Sequence, residues 1–138
     1  MLKKIYFLIT SVLILNSCNS LKNKEIGKWN LISEIQTDDP YATRSSLTEK
    51  KINSDKTLTL KKDSSFVSNL SLCNQWPPSD SYISKGVYHF KKNRNPDKLF
   101  WLECPGMYPD HHFEIRNKRL ELHLPSVTGY QIQIFEKK

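Results

Sequence analysis

Glycine is scarce in this chain, with four residues among 138. That excludes a glycine-rich phosphate loop, which needs several positions where bare backbone can approach the ligand. No Gly-x-Ser-x-Gly nucleophile turn and no His-Glu-x-x-His zinc-protease motif is present. Signatures of nucleic-acid binding are missing as well, so nucleic acid is not expected as a partner. Beyond residue 15 no apolar run approaches the roughly 20 residues that a membrane-spanning helix needs. There is no internal repeat and no low-complexity tract. These absences remove the common routes to catalysis and to cofactor binding, and the expectation is a protein that is not an enzyme and carries no cofactor.

What is present begins at the N-terminus. Met1-Leu2-Lys3-Lys4 is basic, and Ile5 to Leu15 is an apolar run of eleven residues. A basic start followed by a short apolar segment reads as an export signal, too short to span a bilayer comfortably. The run ends in "LILNSCNSLKNK", with a lone cysteine, Cys18, just past the polar stop. Leu15-Asn16-Ser17-Cys18 resembles the lipobox of bacterial lipoproteins, with an aliphatic residue at −3 and a small one at −1; Asn16 is a less usual −2 residue. That resemblance implies cleavage before Cys18 and acylation of its thiol, with chains such as palmitate. A single acyl chain anchors only marginally, whereas the two or three carried by a lipoprotein cysteine anchor stably. The implied organisation is a signal peptide over 1–17, a lipidated cysteine and polar tether over 18–25, and one domain over 26–138. The implied location is the bacterial cell envelope, at the outer membrane, with the domain in the periplasm or at the cell surface.

The part from Cys18 onward has 121 residues, enough for a single domain with a real core. Without Lys3 and Lys4 its formal charge is +5, spread along the chain. A scattered excess suits a solvated surface; the sharper reading is attraction to anionic headgroups or acidic glycans. Three cysteines are an odd count for an exported chain. With Cys18 lipidated, Cys73 and Cys104 remain, and outside the cytoplasm they are expected to pair; two free buried thiols are the alternative.

From Trp29 onward the pattern is period two. Trp29, Leu31, Ser33 and Ile35 alternate with Lys28, Asn30, Ile32 and Glu34, as in a half-buried strand. Residues 40–55 show no clear period and suit either a short helix over Ser45–Lys51 or a ragged strand. Strands then follow over 57–61, 65–72, 82–90, 99–104, 112–116, 119–124 and 130–136, separated by turn-rich segments. Asn117-Lys118 reads as a two-residue hairpin turn. Eight short strands in sequential hairpins predict an all-β fold: a single eight-stranded antiparallel up-and-down barrel, which leaves no exposed sheet edge.

The residues also resemble a family. Gly27-Lys28-Trp29 is similar to the Gly-x-Trp signature of lipocalins. The layout is similar to the small lipocalin-like lipoproteins of Bacteroidetes: lipobox, tether, a "GxW" strand, a hairpin like "LTLKKDSSFVSN", a strand like "KGVYHF" and an ending like "IFEKK". The resemblance implies a lipocalin-like barrel that binds a small hydrophobic or amphipathic molecule. The residues expected to face its interior are Trp29, Leu31, Phe66, Leu70, Tyr88, Phe90, Trp101 and Tyr130. An eight-stranded barrel is just wide enough to be filled by side chains or to hold one small ligand. Both outcomes stay open.

Two further features carry chemistry. Asp110-His111-His112, with His123 or His89, offers metal ligands, but adjacent strand residues point to opposite faces, so no metal site is expected. Trp76, beside Pro77-Pro78 in "CNQWPPSDSY", is a stiff aromatic suited to a partner surface or to capping the barrel end. The rival function is therefore a protein-interaction lipoprotein, an inhibitor or envelope assembly factor, with a filled barrel and no small ligand.

Overall fold

The computed structural model describes residues 23–73, 83–91, 99–106, 111–126 and 128–138. Among them nine strands form: β1 (Gly27–Thr37), β2 (Lys50–Lys51), β3 (Thr57–Leu60), β4 (Ser65–Ser68), β5 (Ser84–Lys91), β6 (Leu99–Glu103), β7 (His111–Arg116), β8 (Arg119–Pro125) and β9 (Tyr130–Lys137). The sole helical element described is a 3-10 turn, Arg44–Ser46. From β3 to β9 each strand pairs antiparallel with the next. β1 closes the ring, with β9 along one edge and β3 on the other through Gly27–Asn30. The short β2 continues that second edge at Ser33 and Glu34. The result is the closed eight-stranded up-and-down barrel expected from the strand spacing, and closure leaves no long edge to template aggregation.

Alternation explains the interior. Leu58 and Leu60, Phe66, Tyr88, Phe100 and Leu102, Phe113, Leu120 and Leu122 are all buried and pack as one cluster. Phe100 and Phe113 stack at 4.9 Å between ring centroids, and Tyr88 meets both edge-on at 6.2 and 6.1 Å. Such aromatic pairs add about 0.5–1.5 kcal/mol each beyond their buried area. Gly86 makes room for this packing: a Cβ there would collide with the Glu103 carbonyl oxygen and lie 2.7 Å from the Phe66 ring.

The end of the barrel where β1 begins is closed. Trp29 is 1% exposed, and its indole N–H donates to the Glu25 carbonyl at 2.7 Å. The Lys137 ammonium lies over that ring at 5.4 Å. Nearby, the Tyr88 hydroxyl donates to the Lys61 carbonyl at 2.7 Å. The hairpin turn at Asn117 and Lys118 has φ of 50° and 63°. Positive φ at both central residues matches the right-handed strand twist, as a two-residue turn requires. At the opposite end β4 stops at Ser68, four residues short of the end of the strand 65–72 expected from periodicity. The chain then turns inward and buries Leu70, Leu72 and Cys73. Ser84 Oγ accepts from the N–H groups of Leu72 (3.0 Å) and Cys73 (3.2 Å) and donates to the Leu70 carbonyl (2.7 Å). Cys73 is bonded to Cys104, as the cysteine count led us to expect.

One local irregularity changes the wall. Leu31 lies opposite Phe135, but Ser33 lies opposite Ile134, so Ile32 is an extra residue in β1. A bulge of this kind shifts the side-chain alternation by one. Leu31 and Phe135 stay in the interior cluster; Ser33 and Ile35 turn to the outer face with Ile132 and Ile134. The unbroken alternation read from Trp29 to Ile35 is corrected here, and Ser33 does not line the interior. The outer face so created is apolar and is covered. Residues 41–52 lie across it as a strap, with Leu47 on the isoleucine cluster and β2 pairing at its end. The uncertain segment 40–55 is thus a 3-10 turn plus a two-residue strand.

Candidate functional site

Two places gather polar groups against this scaffold. The first is inside. Gln131 and Gln133 share the inward face of β9 with Phe135, opposite Leu124 and Leu122 of β8 and opposite Gln36 and Glu34 of β1. Gln131 Nε2 donates to Glu34 Oε2 at 3.1 Å. Gln133 Oε1 is buried and has no hydrogen-bond partner. A carboxylate and two amides therefore face inward at the end of the barrel away from Trp29. They stand on a largely apolar wall, whose other buried polar side chains, Ser68 and Ser84, bond backbone groups nearby.

The second is on the outer wall, where β7 and β8 form a hairpin about the Asn117-Lys118 turn. Its register sets His112 opposite His123 and Glu114 opposite Glu121. The imidazoles of His112 and His123 stack at 4.7 Å and 10°, and the Trp101 ring continues the row at 5.2 Å from His112. Burial, then the charges of His123 and His111, pushes His112 down to about 4. Burial also lowers His123, against the pull of Glu114 and Glu121. Both imidazoles are therefore neutral near pH 7. Glu114 and Glu121 are buried carboxylates, 9% and 6% exposed. Each has one oxygen held by an arginine: Arg116 to Glu114 at 2.9 Å, and Arg44 of the strap to Glu121 at 3.3 Å. Glu49, also of the strap, accepts from the Ser33 hydroxyl and from Arg119 at 3.3 Å. A cleft of about 310 Å³ opens beside this network, lined by Arg44, His112, His123, Leu124, Pro125, Tyr130 and Ile132.

Of the residues expected inside, Trp29, Leu31, Phe66, Leu70 and Tyr88 are buried in the interior cluster. Trp101 and Tyr130 are corrected to the outer face. Trp101 pairs with His112 while its neighbours Phe100 and Leu102 point in. Tyr130 packs with the outer isoleucines, and its hydroxyl donates to the Ala42 carbonyl at 2.6 Å. Phe90 shares the inward parity of Tyr88 but is 48% exposed, so it contributes little to the core. Cys18 and Trp76 lie outside the described residues. His111 and His112 do point to opposite faces, yet the partners that matter, Glu114 and Glu121, were missed. The hairpin turn was legible, and a two-residue turn at 117–118 fixes every cross-strand pair of β7 and β8. Extending that register would have brought the two carboxylates and His123 together.

Comparison with family models, curated proteins and solved structures finds no match to this chain. Among the described residues no helix is long and apolar enough to cross a membrane.

Proposed function

We propose that this protein is a lipid-anchored, non-enzymatic binding module of the bacterial cell envelope. It takes a small amphipathic molecule into the end of the barrel where Glu34, Gln131 and Gln133 face inward. The observation that carries this reading is that trio, with a buried amide oxygen lacking a partner, on a largely apolar interior wall. Ligand pockets are mostly apolar with a few convergent polar groups, and an acceptor-rich trio suits a ligand whose polar head donates hydrogen bonds. Acylation of Cys18 and an outer-membrane location are supported by the likeness of Leu15–Cys18 to a lipobox. The test is native mass spectrometry of the protein purified from its own envelope. A bound small molecule, lost in Glu34→Ala, is the expected result; a uniformly ligand-free barrel defeats the reading.

A second reading has its own support. The interior side chains described form one contiguous packed cluster, which suits a filled barrel that works through its surface. That protein would be an inhibitor or an envelope assembly factor. Pull-down from envelope extract separates the two: a stoichiometric protein partner lost on Trp76→Ala favours the second.

A further inference from the structure

We propose that the outer wall of the barrel carries a divalent-metal site built from Glu114, Glu121 and His123, and that Zn2+ is the ion it fits best. One donor atom from each of the three lies within 4.8 Å of the others. Donors around a tetrahedral zinc stand roughly 3.3 Å apart, given bond lengths near 2.0–2.1 Å, so side-chain rotations of ~1 Å close the set. Two carboxylates and one imidazole form a mixed oxygen–nitrogen shell. Mg2+ and Ca2+ favour all-oxygen shells, whereas zinc accepts both donors.

A second observation points to the same ion. Glu121 Oε2 is buried with no hydrogen-bond partner, on a side chain only 8% exposed. His123 Nε2 is buried likewise; its nearest charged neighbour, Glu114 Oε1, stands 3.6 Å away, beyond hydrogen-bond reach. An acceptor oxygen and an imidazole nitrogen left unpaired side by side each forfeit the bonds they made to water. A metal ion satisfies both at once. The arginines fit a supporting role, because each binds one oxygen of its carboxylate: Arg44 fixes Glu121 Oε1 and leaves Oε2 clear. Outer partners of this kind orient ligands and are worth about 10–100-fold in metal affinity.

The charges allow it. Glu49, Glu121 and Glu136 are linked through Arg44 and Arg119, and Glu114 pairs with Arg116 beside them, which leaves a surplus of one negative charge. His112 stacks parallel to His123, so both rings cannot point their lone pairs at one ion; it is a shelf that holds the ligand ring. Three protein donors leave a position open, and His123 lines the cleft beside it.

The experiment is calorimetric titration of Zn2+ into the full chain after metal stripping. One saturable equivalent is expected, with binding weakened more than about 100-fold in Glu121→Gln and in His123→Asn. His89→Asn, on the same outer face but outside the cluster, leaves it unchanged. Circular dichroism of each metal-free variant checks the fold, and Glu114→Gln replaces either variant that does not fold. Co2+ substitution gives a second readout: visible bands of four- or five-coordinate intensity in the parent, absent in the variants. No saturable uptake, or uptake unchanged in the folded ligand variants, overturns the proposal.

Discussion

Leu122 and His123 are neighbours in β8, yet they end on opposite sides of one wall and in different chemistry. Leu122 meets Phe113 in the interior cluster, which is held mainly by apolar burial. His123 lies in a network of directional contacts, with Glu114, Glu121 and His112 around it and the strap alongside. The inner face tolerates sideways error, because burial has no preferred direction. The outer face does not. The strap has few buried side chains of its own and depends on Leu47, on the Tyr130–Ala42 bond and on the pairs made by Arg44 and Glu49. The barrel should therefore be globally cooperative, and the strap should open locally at lower free energy.

The largest effect that sharpens this contrast is on the inner face. Phe113→Ala removes a fully buried ring stacked on Phe100 and should cost about 3–5 kcal/mol. Urea unfolding should show a lower midpoint for the whole barrel and the strap together. A strap-only loss would break the comparison. Next is the bond that ties the inward-turning segment 69–73 to Cys104. Cys73→Ser with Cys104→Ser opens a loop of 31 residues and should cost about 3–4 kcal/mol on the chain-entropy account. Reduction of the parent with dithiothreitol should lower its midpoint by the same amount.

The barrel was legible because its signal is local and repeated. Period-two alternation and turn residues place all eight ring strands within a few residues, and the Asn117-Lys118 turn has the backbone it announced. Trp101 and Tyr130 were misplaced because both strands were given a face by their largest aromatic. In "LFWLE" the buried pair is Phe100 and Leu102, and a half-buried Trp can cover an outer wall as well as an inner one. The bulge at Ile32 leaves a mark in the sequence. Leu31-Ile32 and Ile134-Phe135 are apolar doublets that break alternation in two strands that pair with each other. Here the paired doublets mark a wall with an apolar cluster on each side. The strap could not be foreseen from its own composition, because its place is fixed by partners as far away as Arg119 and Tyr130.

The next effect in size lies on the outer face. Glu49→Gln keeps the side chain's shape but removes the charge that Arg44 and Arg119 share. These pairs are about one-third exposed, so the global cost should be about 1 kcal/mol or less. Hydrogen exchange should nevertheless speed up over residues 42–52, with the amide of Ile52 as the reporter, since it donates to Ile32 at the edge of β1. Equal protection in parent and variant would mean that Leu47 alone holds the strap.

The smallest effect tests whether any outer-face position matters merely by being there. Val87 is on the outer face of β5, opposite Ser65 and Glu103, with 48% of its surface exposed. Thr keeps the β-branch that suits a pleated strand and replaces one methyl of a half-exposed side chain. Val87→Thr should change stability by less than about 0.5 kcal/mol, the usual range for surface sites without a special partner. Ile134→Thr, which puts a hydroxyl and loses a methyl group under the strap on the same outer side, should cost several times more. If the two substitutions cost alike in thermal unfolding, the strap shields nothing, and the second core is only an exposed wall with a loop resting on it.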